Sequence, residues 1–231
     1  MSDDPAIAEF FNGWELYRAI IDGNCMEHRE VGAAITPVLA ERTSPFTILD
    51  LGCGDAALLA PVLPDLPLAR YIGVDIAQGA LDAARALLAP VRDRVELRQA
   101  DLMAPLADAE TFDVILISFA LHHFDAAGKR AFLAAARDRL RPGGDLLLID
   151  VVRTDGQSRD DYLDFYDDYV HTWPVSADLA GRIITHVRRN DWPEEVSTFP
   201  QWATAAGFDT VTQLYRGGQN TQAAWRLHRT S

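Results

Sequence analysis

Two glycines and an aspartate form the first pattern in this sequence that could do chemistry. Gly52 and Gly54 follow a short apolar segment, residues 46–49, that is typical of a β-strand. A Gly-x-Gly turn at the end of a strand lets the backbone turn tightly and come close to a bound ligand. Asp75 ends the next apolar segment, where its carboxylate can accept hydrogen bonds from ribose hydroxyl groups. The spacing therefore predicts a site for a ligand that contains a nucleoside.

The charge around this turn distinguishes between two classes of nucleoside ligand. Asp50 precedes the first glycine, and Asp55 follows the second. Carboxylates at these positions would repel the pyrophosphate of a nicotinamide dinucleotide. S-adenosyl-L-methionine has no phosphate and presents a cationic sulfonium and an ammonium group, which suit an acidic turn. The sequence therefore favours S-adenosyl-L-methionine as the cofactor, with S-adenosyl-L-homocysteine as its product. A nicotinamide-dependent dehydrogenase stays open as the alternative.

Three further residues are candidates for binding the adenine ring. Asp101 follows the third predicted strand and can accept a hydrogen bond from the adenine amino group. Ile76 and Leu102 can cover the two faces of the ring, although both could equally be ordinary core residues. Because ligands bind at the carboxyl ends of the strands in such sheets, we expect Asp50, Asp75 and Asp101 to line one crevice.

These residues need a parallel sheet to bring them together, and the sequence predicts one. Apolar segments of strand type alternate with segments of helical period between residues 46 and 152. Continuous apolar strands separated by helices are typical of parallel strands buried on both faces, which indicates a doubly wound α/β fold. We predict strands at 46–49, 70–75, 95–99, 112–118 and 145–152 and helices at 78–88 and 127–140, the latter stopped by Pro142, Gly143 and Gly144.

The segments that flank this core are predicted to be mostly helical. Residues 5–42 show helical periodicity, interrupted at Gly23 and Asn24, and residues 153–200 form a polar, helical insertion. Residues 217–220 form a turn between two strand-like segments, which predicts a C-terminal antiparallel hairpin. We expect one domain, residues 1–231, made of an N-terminal helical lid (1–45), a cofactor-binding core (46–152), a helical cap (153–200) and a closing helix and hairpin (201–231).

Five stretches of the sequence resemble the class I S-adenosylmethionine-dependent methyltransferases. The resemblance implies a Rossmann-like, mostly parallel sheet of seven strands with a C-terminal antiparallel hairpin, S-adenosyl-L-methionine as the cofactor, and methyl transfer as the reaction. The sequence departs from the family at Ala56, which replaces the third glycine of the turn and which we expect only to tighten it. The matching stretches are residues 48–55, 71–76, 99–102, 112–118 and 140–146, in the order and spacing of the family.

In this family, the segment after the fourth strand usually faces the transferred methyl group. Here it supplies Ser118 and Phe119 as candidate cofactor contacts. It also supplies His122 and His123 as catalytic candidates, since imidazole titrates near neutral pH. His186 in the insertion is a third catalytic candidate. Family members often carry a histidine here that only packs against the cofactor, and this alternative stays open.

The helical additions are predicted to close over the cofactor and to bind the methyl acceptor. Tyr17 and Arg18 are candidates for cofactor binding, because the cofactor carboxylate needs a donor that an acidic turn does not provide, and Met26 is a candidate as part of the lid. Ordinary helix packing is the alternative for the aromatic residues. The candidates for acceptor binding are Trp14, Tyr162, Tyr166 and Arg153.

The composition narrows the classes of partner. The chain of 231 residues has 34 acidic and 21 basic residues, a net charge of −13, and two cysteines, too few for a disulfide framework. This charge disfavours nucleic acid as a partner, and the sequence shows neither a signal peptide nor an apolar membrane span. We expect a cytoplasmic monomer or homodimer with a small-molecule substrate, no DNA, no membrane and no metal. The sequence does not decide whether the acceptor atom is oxygen, nitrogen or carbon. Two alternatives also stay open: a protein or RNA as the acceptor, and a cofactor-binding subunit without transferase activity.

Overall fold

The N-terminal region contains two helices that precede the sheet. The computed structural model describes residues 14–231, with side-chain surroundings from Arg18 onward. Helix α1 spans Trp14–Asp22 and helix α2 spans His28–Ala40. The turn between them includes Asn24, which has the left-handed backbone that the predicted interruption requires (φ 52°). Residues 5–13 of the predicted helical segment lie outside the described residues.

Seven strands form one sheet in the order β3-β2-β1-β4-β5-β8-β7, and a short eighth strand, β6, pairs with β5. Strands β1 to β5 run parallel to one another, while β8 is antiparallel to both β5 and β7. This order confirms the predicted Rossmann-like α/β fold with its C-terminal hairpin. The strands are β1 Phe46–Leu51, β2 Leu68–Asp75, β3 Val95–Gln99, β4 Phe112–Ser118, β5 Leu140–Arg153, β6 Glu194–Glu195, β7 Thr210–Arg216 and β8 Gln222–Arg229.

Helices connect the strands and cover both faces of the sheet. Short 3-10 turns follow several of the strands and helices, at Leu63–Asp65, Ala89–Arg94 and Leu121–His123. None of the helices in the described part of the chain is long and apolar enough to cross a membrane. The remaining helices are α3 Gln78–Leu87, α4 Ala104–Ala107, α5 Ala126–Arg139, α6 Arg159–Val170, α7 Ala177–Asn190 and α8 Thr198–Ala205.

One predicted boundary is wrong. The helix α5 was predicted to reach residue 140 and to be stopped by Pro142, Gly143 and Gly144, but it ends at Arg139 and β5 begins with the next residue. The proline and the glycines lie inside the limits of β5, because the pairing with β4 jumps from Leu140 to Asp145 and leaves the residues between them as a bulge. Gly143 supplies the positive φ of 77° that this bulge needs.

The strand residues alternate between two hydrophobic cores, one on each face of the sheet. In β4, Ile115 and Ile117 pack on the side of α5 and α8, whereas Val114 and Leu116 pack on the side of α2 and α3. Every one of these side chains is essentially inaccessible to solvent. The sheet is therefore buried on both faces, and its polar chemistry is confined to the strand ends.

The insertion forms a third hydrophobic core of its own. Helices α6 and α7 pack against each other around residues such as Tyr166 and Ile183, and Ile20 of α1 joins the same cluster. Serine side chains cap both helices: Ser158 accepts a hydrogen bond from the Asp161 N–H, and Ser176 accepts one from the N–H three residues on. The predicted boundary at residue 200 falls inside α8, and the division into lid, core and cap stays a prediction.

Candidate functional site

A cavity of about 610 Å³ lies at the carboxyl ends of the central parallel strands. Its walls come from α1 and α2 and from the segments that follow β1, β2, β3 and β4. The strand order changes direction between β1 and β4, and such a switch point is where open α/β sheets bind ligands. The predicted cofactor residues that line this cavity are Asp50, Gly52, Gly54, Asp75, Ile76, Leu102, Ser118 and Phe119.

The glycine turn brings its backbone close to the neighbouring segments. Gly52 and Gly54 both have positive φ, at 70° and 54°. The N–H groups of Gly52 and Cys53 donate to the Val74 carbonyl at 2.8 and 3.0 Å, which ties the turn to β2. A Cβ on Gly52 would lie 2.9 Å from the Cβ of Ala120. Glycine is therefore required at position 52 for both its conformation and its space.

Ala56 adopts the left-handed backbone that the missing third glycine would adopt without strain. Its φ is 61°, and its N–H donates to the Cys53 carbonyl at 2.8 Å. An L-residue in this conformation costs about 1 kcal/mol or more. The Ala56 methyl group is buried in the core on the α2 side, which offsets part of this cost. The departure from the family thus leaves a strained residue in the turn.

Asp75 is held rigidly at the end of β2. Its Oδ2 accepts a hydrogen bond from the Gly54 N–H at 2.9 Å, and its Oδ1 accepts one from the Ala77 N–H at 2.8 Å. Burial raises the pKa of this carboxyl, while these backbone donors act in the opposite direction. The two bonds fix the carboxylate against the glycine turn, and its remaining lone pairs are available for a diol.

Asp50 lies on the floor of the cavity in a less polar setting. The Tyr71 hydroxyl donates to its Oδ2 at 2.6 Å. Burial raises the pKa of Asp50 to about 7, the Tyr71 bond lowers it, and the nearby charge of Asp75 raises it further. Asp50 therefore changes charge near neutral pH, and a cation beside it would favour the charged form.

The structure does not bring every predicted cofactor residue to the cavity. Asp101 accepts a hydrogen bond from the Met103 N–H at 2.7 Å and does not line the cavity, although its neighbour Leu102 does. Arg18 is largely exposed and lies 3.7 Å from Asp22. Met26 lines a second, smaller cavity instead. The side chains of Tyr17 and Trp14 lie outside the described residues.

Sequence reasoning missed two residues of α2 that line the cavity, His28 and Arg29. The Arg29 guanidinium donates to the Asp22 carbonyl at 3.2 Å and brings a positive charge to an otherwise acidic site. Burial lowers the pKa of His28 to about 4, and its ring lies 5.0 Å from that of Phe119. Neither residue belongs to a local motif, so only the helix periodicity could have pointed to this face of α2.

Phe119 occupies a strained position where β4 ends. Its φ is 50°, which is unusual for a bulky residue, and its N–H donates to the Ile149 carbonyl at 3.0 Å. The side chain is almost completely buried and lines both cavities. Backbone strain of this kind is common at ligand-binding sites, where the surrounding structure maintains it.

The three candidate histidines converge behind Phe119. His123 lines the large cavity, and His122, His123 and His186 together line the smaller cavity of about 40 Å³. Burial lowers the pKa of His122, but the carboxylates of Asp191 and Asp150 have the larger combined effect and raise it. Burial lowers the pKa of His186 to about 4. Only His123 of the three is therefore placed to touch a ligand in the large cavity.

Most of the predicted acceptor residues lie away from the large cavity. Tyr166 lines the smaller cavity, whereas Tyr162 is buried in the core of the insertion. Arg153 forms an ion pair with Glu195 at 2.9 Å and donates to the Pro193 carbonyl at 3.2 Å, so it holds β6 beside β5. The structure therefore brings neither Tyr162 nor Arg153 to a cavity.

Comparison with known proteins identifies the core. Residues 49–146 match the methyltransferase domain family. A release factor glutamine methyltransferase from Rhodopirellula baltica is 40% identical over 79 residues, which cover 33% of this chain and 26% of that protein. A ubiquinone biosynthesis O-methyltransferase from Dinoroseobacter shibae is 36% identical over 100 residues, which cover 43% of this chain and 39% of that protein. The chain thus spans less than half the length of these curated relatives.

A solved structure extends the similarity to the whole fold. The magnesium protoporphyrin IX methyltransferase from Synechocystis PCC 6803, solved with bound S-adenosyl-homocysteine, matches with a TM-score of 0.67 at 15% identity, covering 98% of this chain and 100% of that one. The strand order, the glycine turn and the match over residues 49–146 confirm the resemblance seen in the sequence. Residues 49–146 match a methyltransferase domain, and the described chain has the fold of the class I, Rossmann-like methyltransferases, which use S-adenosyl-L-methionine as their cofactor.

Proposed function

We propose that this chain transfers the methyl group of S-adenosyl-L-methionine to a small-molecule acceptor. The proposal rests on the size and the lining of the large cavity. Its volume of about 610 Å³ lies within the range of roughly 300–1,000 Å³ that is usual for small-molecule sites. The carboxylates of Asp50 and Asp75 lie in its wall, where they favour a cationic ligand without phosphate.

The residues around the cavity suggest how the cofactor would lie. Asp75 would accept hydrogen bonds from the ribose hydroxyls, and Ile76 and Leu102 would cover the adenine ring. Asp50 and the glycine turn would lie beside the ammonium group. Arg29 would bind the carboxylate, a role that the sequence had suggested for Arg18. This arrangement directs the sulfonium toward the segment that follows β4.

The acceptor would approach from the side of Phe119 and His123. In the transfer, a lone pair of the acceptor forms a bond to the methyl carbon while the carbon–sulfur bond breaks and its electron pair stays on sulfur. The positive charge of the sulfonium is thereby discharged, so the protein mainly has to align the two reactants. A cavity with acidic groups at the cofactor side and an apolar wall at Phe119 would serve this alignment.

Of the three candidate histidines, we propose that His123 contacts the acceptor. It is shared by the two cavities, whereas His122 and His186 line only the smaller one. His122 and His186 would therefore act through His123, as positioning residues. A hydroxyl or amine acceptor must also give up a proton, and among these three histidines His123 is nearest to the cavity in which that proton is released.

A protein acceptor is the second candidate, because one relative of the core is named as a release factor methyltransferase. The net charge of −13 argues against RNA as the acceptor, since it would repel a phosphate backbone. A third alternative is a cofactor-binding subunit without transferase activity, which would bind S-adenosyl-L-methionine in the cavity without transferring its methyl group.

One labelling experiment separates these functions. The protein is incubated with S-adenosyl-L-methionine that carries a tritiated methyl group, together with pools of metabolites, of unmodified protein and of RNA. We expect the label in the small-molecule fraction. Label confined to protein or RNA, or cofactor binding with no transfer to any pool, would overturn the proposal. Asp75→Asn should reduce transfer, and the exposed Asp93→Asn, whose side chain is 93% exposed, is the matched control.

A further inference from the structure

Three histidines and an aspartate form a compact buried group, the histidine cluster, made of His122, His123, His186 and Asp191. His122 and His123 lie in the 3-10 turn after β4, His186 lies in α7, and Asp191 follows the end of α7 directly. The side chains of all four are at most 9% exposed. Two segments that are distant in the sequence thus bring together four residues of types that can bind a metal.

The distances within the cluster are those of groups that share an ion. Asp191 Oδ1 lies 3.4 Å from His123 Nδ1, 3.7 Å from His122 Nε2 and 4.0 Å from His186 Nε2. Strong hydrogen bonds between such groups would be about 2.7–2.9 Å long. Ligands at about 2.1 Å from a tetrahedral ion are roughly 3.4 Å apart. The separations of His122 and His123 from Asp191 are close to those between ligands of a common ion, and each of these three residues offers one ligand atom within 4.8 Å of the other two.

Neighbouring groups orient these ligands. The Nδ1 of His122 lies 2.6 Å from Asp150 Oδ1, which leaves Nε2 facing Asp191. The side-chain amide N–H of Asn190 donates to His186 Nδ1 at 3.1 Å, so the hydrogen of the neutral His186 ring is on Nε2 and this residue stays outside the set of ligands. A carboxylate that accepts from the second nitrogen, as Asp150 does at His122, is the usual outer partner of a histidine that binds a metal.

The charge balance of the cluster also favours a cation. Asp150 and Asp191 are two buried carboxylates on opposite sides of the His122 ring. Lys129, the single lysine of the chain, has its ammonium 2.8 Å from Glu194 and is thus engaged with another carboxylate. Buried charges need a counter-charge in contact, and a divalent ion among the three ligands would supply it.

We propose that His122 Nε2, Asp191 Oδ1 and a ring nitrogen of His123 bind one divalent transition-metal ion, with the fourth position open to water or another small ligand. Imidazole nitrogens with a carboxylate suit Zn²⁺ or Co²⁺ better than Mg²⁺ or Ca²⁺, which prefer oxygen ligands. The cavity of about 40 Å³ that these side chains line is large enough for an ion. This proposal replaces the expectation that the chain binds no metal, and it does not rest on the proposed methyl transfer.

The ion would join the insertion to the core beside the large cavity. Two of its ligands belong to the turn after β4, and the third, Asp191, directly follows α7. His123 also borders the large cavity. An ion bound here would therefore fix α7 against the wall from which the acceptor approaches.

The test measures metal binding by the full chain without cofactor or acceptor. The protein is stripped with a chelator and titrated with Co²⁺, while the visible d–d absorption is recorded, and Zn²⁺ is then added as a competitor. We expect absorption typical of four-coordinate Co²⁺, saturating at one equivalent and displaced by Zn²⁺. Absence of these bands, or binding without saturation at one equivalent, would overturn the proposal and leave His122 as an imidazolium between two carboxylates.

Variants locate the site. Asp191→Asn and His123→Gln should each weaken Co²⁺ binding by at least 10-fold, a loss of the size seen when metal-site residues are changed. His171→Gln alters an exposed histidine at the end of α6 and should bind Co²⁺ like the wild type. Circular dichroism checks the folding of each variant, and His122→Gln replaces any variant that does not fold. Equal affinity in the folded cluster variants and in His171→Gln would refute the assignment.

Discussion

Asp75 illustrates how the site combines rigidity with unused hydrogen-bonding capacity. Two backbone N–H groups hold its carboxylate oxygens, one from the glycine turn and one from the start of α3. The carboxylate is thus oriented before any ligand arrives, and a diol could bind it with little loss of side-chain entropy. Removing it should cost cofactor affinity and also loosen the turn.

We predict that Asp75→Ala weakens the binding of S-adenosyl-L-homocysteine by about 1.5–3 kcal/mol, the value of hydrogen bonds to a charged group. Isothermal titration calorimetry at constant pH measures the effect. Asp93→Ala is the control, because its carboxylate is exposed in the 3-10 segment Ala89–Arg94 and lies 3.7 Å from the Arg92 guanidinium. Unchanged affinity in Asp75→Ala would show that the ribose does not bind there.

Asp50 should make cofactor binding depend on pH. Its pKa of about 7 in the empty site means that the carboxyl is mostly neutral at pH 6 and mostly charged at pH 8. A cationic ammonium nearby binds better to the charged form, so affinity for S-adenosyl-L-homocysteine should rise by about 10-fold from pH 6 to pH 8. Asp50→Asn should abolish this rise, and a flat profile in the wild type would contradict the prediction.

The raised pKa of Asp50 also affects the stability of the empty protein, and this effect runs opposite to its effect on cofactor affinity. In the unfolded chain, Asp50 releases its proton near the ordinary value of 3.8, whereas in the folded protein it keeps the proton up to about pH 7. The folded state therefore binds more protons between these two values. Its contribution to the free energy of unfolding must fall as the pH rises through this window, and a cation bound beside the charged Asp50 would offset part of this loss.

Among the residues predicted from the sequence, those with a local signal lie at the cavity. Gly52 and Asp75 follow apolar segments at a fixed spacing, and both line the cavity. Arg29 and Asp191 have no such signal, since their importance depends on how α2 and α7 pack. Asp101 has the right spacing, but its side chain bonds to the backbone of Met103, which a sequence pattern does not reveal.

At the scale of elements, the glycine turn is tightly constrained by the segments that pack around it. It must pass between β2 and the segment after β4, and the space at Gly52 is filled by Ala120. The strained Ala56 and Phe119 lie on either side of this contact. The turn is therefore maintained by the packing of the elements around it and not by its own conformational preference.

We predict that Gly52→Ala destabilises the protein by about 1–3 kcal/mol, since the new methyl group adds both overpacking and left-handed strain. Gly79→Ala is a matched control, because no atom lies within 4 Å of its Cβ position and alanine favours the helix α3. Chemical denaturation measures both. A Gly52→Ala protein as stable as Gly79→Ala would contradict the close approach to Ala120.

The insertion shows what element-level reasoning from sequence can and cannot provide. Its aromatic residues were expected to form either a core stripe or a substrate wall, and Tyr162 is in fact buried in the core of α6 and α7. Phe165 shares the spacing of that stripe but is 40% exposed. Periodicity predicts the helix, but the direction of its faces depends on α1 and α7, which bury one side only.

At the scale of the whole molecule, the sheet order determines where a ligand can bind. The strand order changes direction between β1 and β4, and the cavity opens at this point, lined by residues from several strand ends. The sequence predicted this crevice because parallel strands place all their carboxyl ends at one edge. It did not predict β6, whose two residues pair with β5 only because the insertion returns to the sheet.

The chain as a whole should be stabilised by its cofactor product and not by a dinucleotide. A ligand at 100 times its dissociation constant adds about 2.7 kcal/mol to the free energy of unfolding. For a protein of this size each kcal/mol raises the melting temperature by roughly 2–4 °C. S-adenosyl-L-homocysteine at saturation should therefore raise the melting temperature by about 5–10 °C. NAD⁺ should leave it unchanged, because Asp50 and Asp55 flank the turn where a pyrophosphate would lie.

Differential scanning calorimetry measures both shifts, and Asp75→Ala should lose most of the shift that S-adenosyl-L-homocysteine causes. A shift with NAD⁺ that equals or exceeds that with S-adenosyl-L-homocysteine would mean that the acidic turn does not select the ligand.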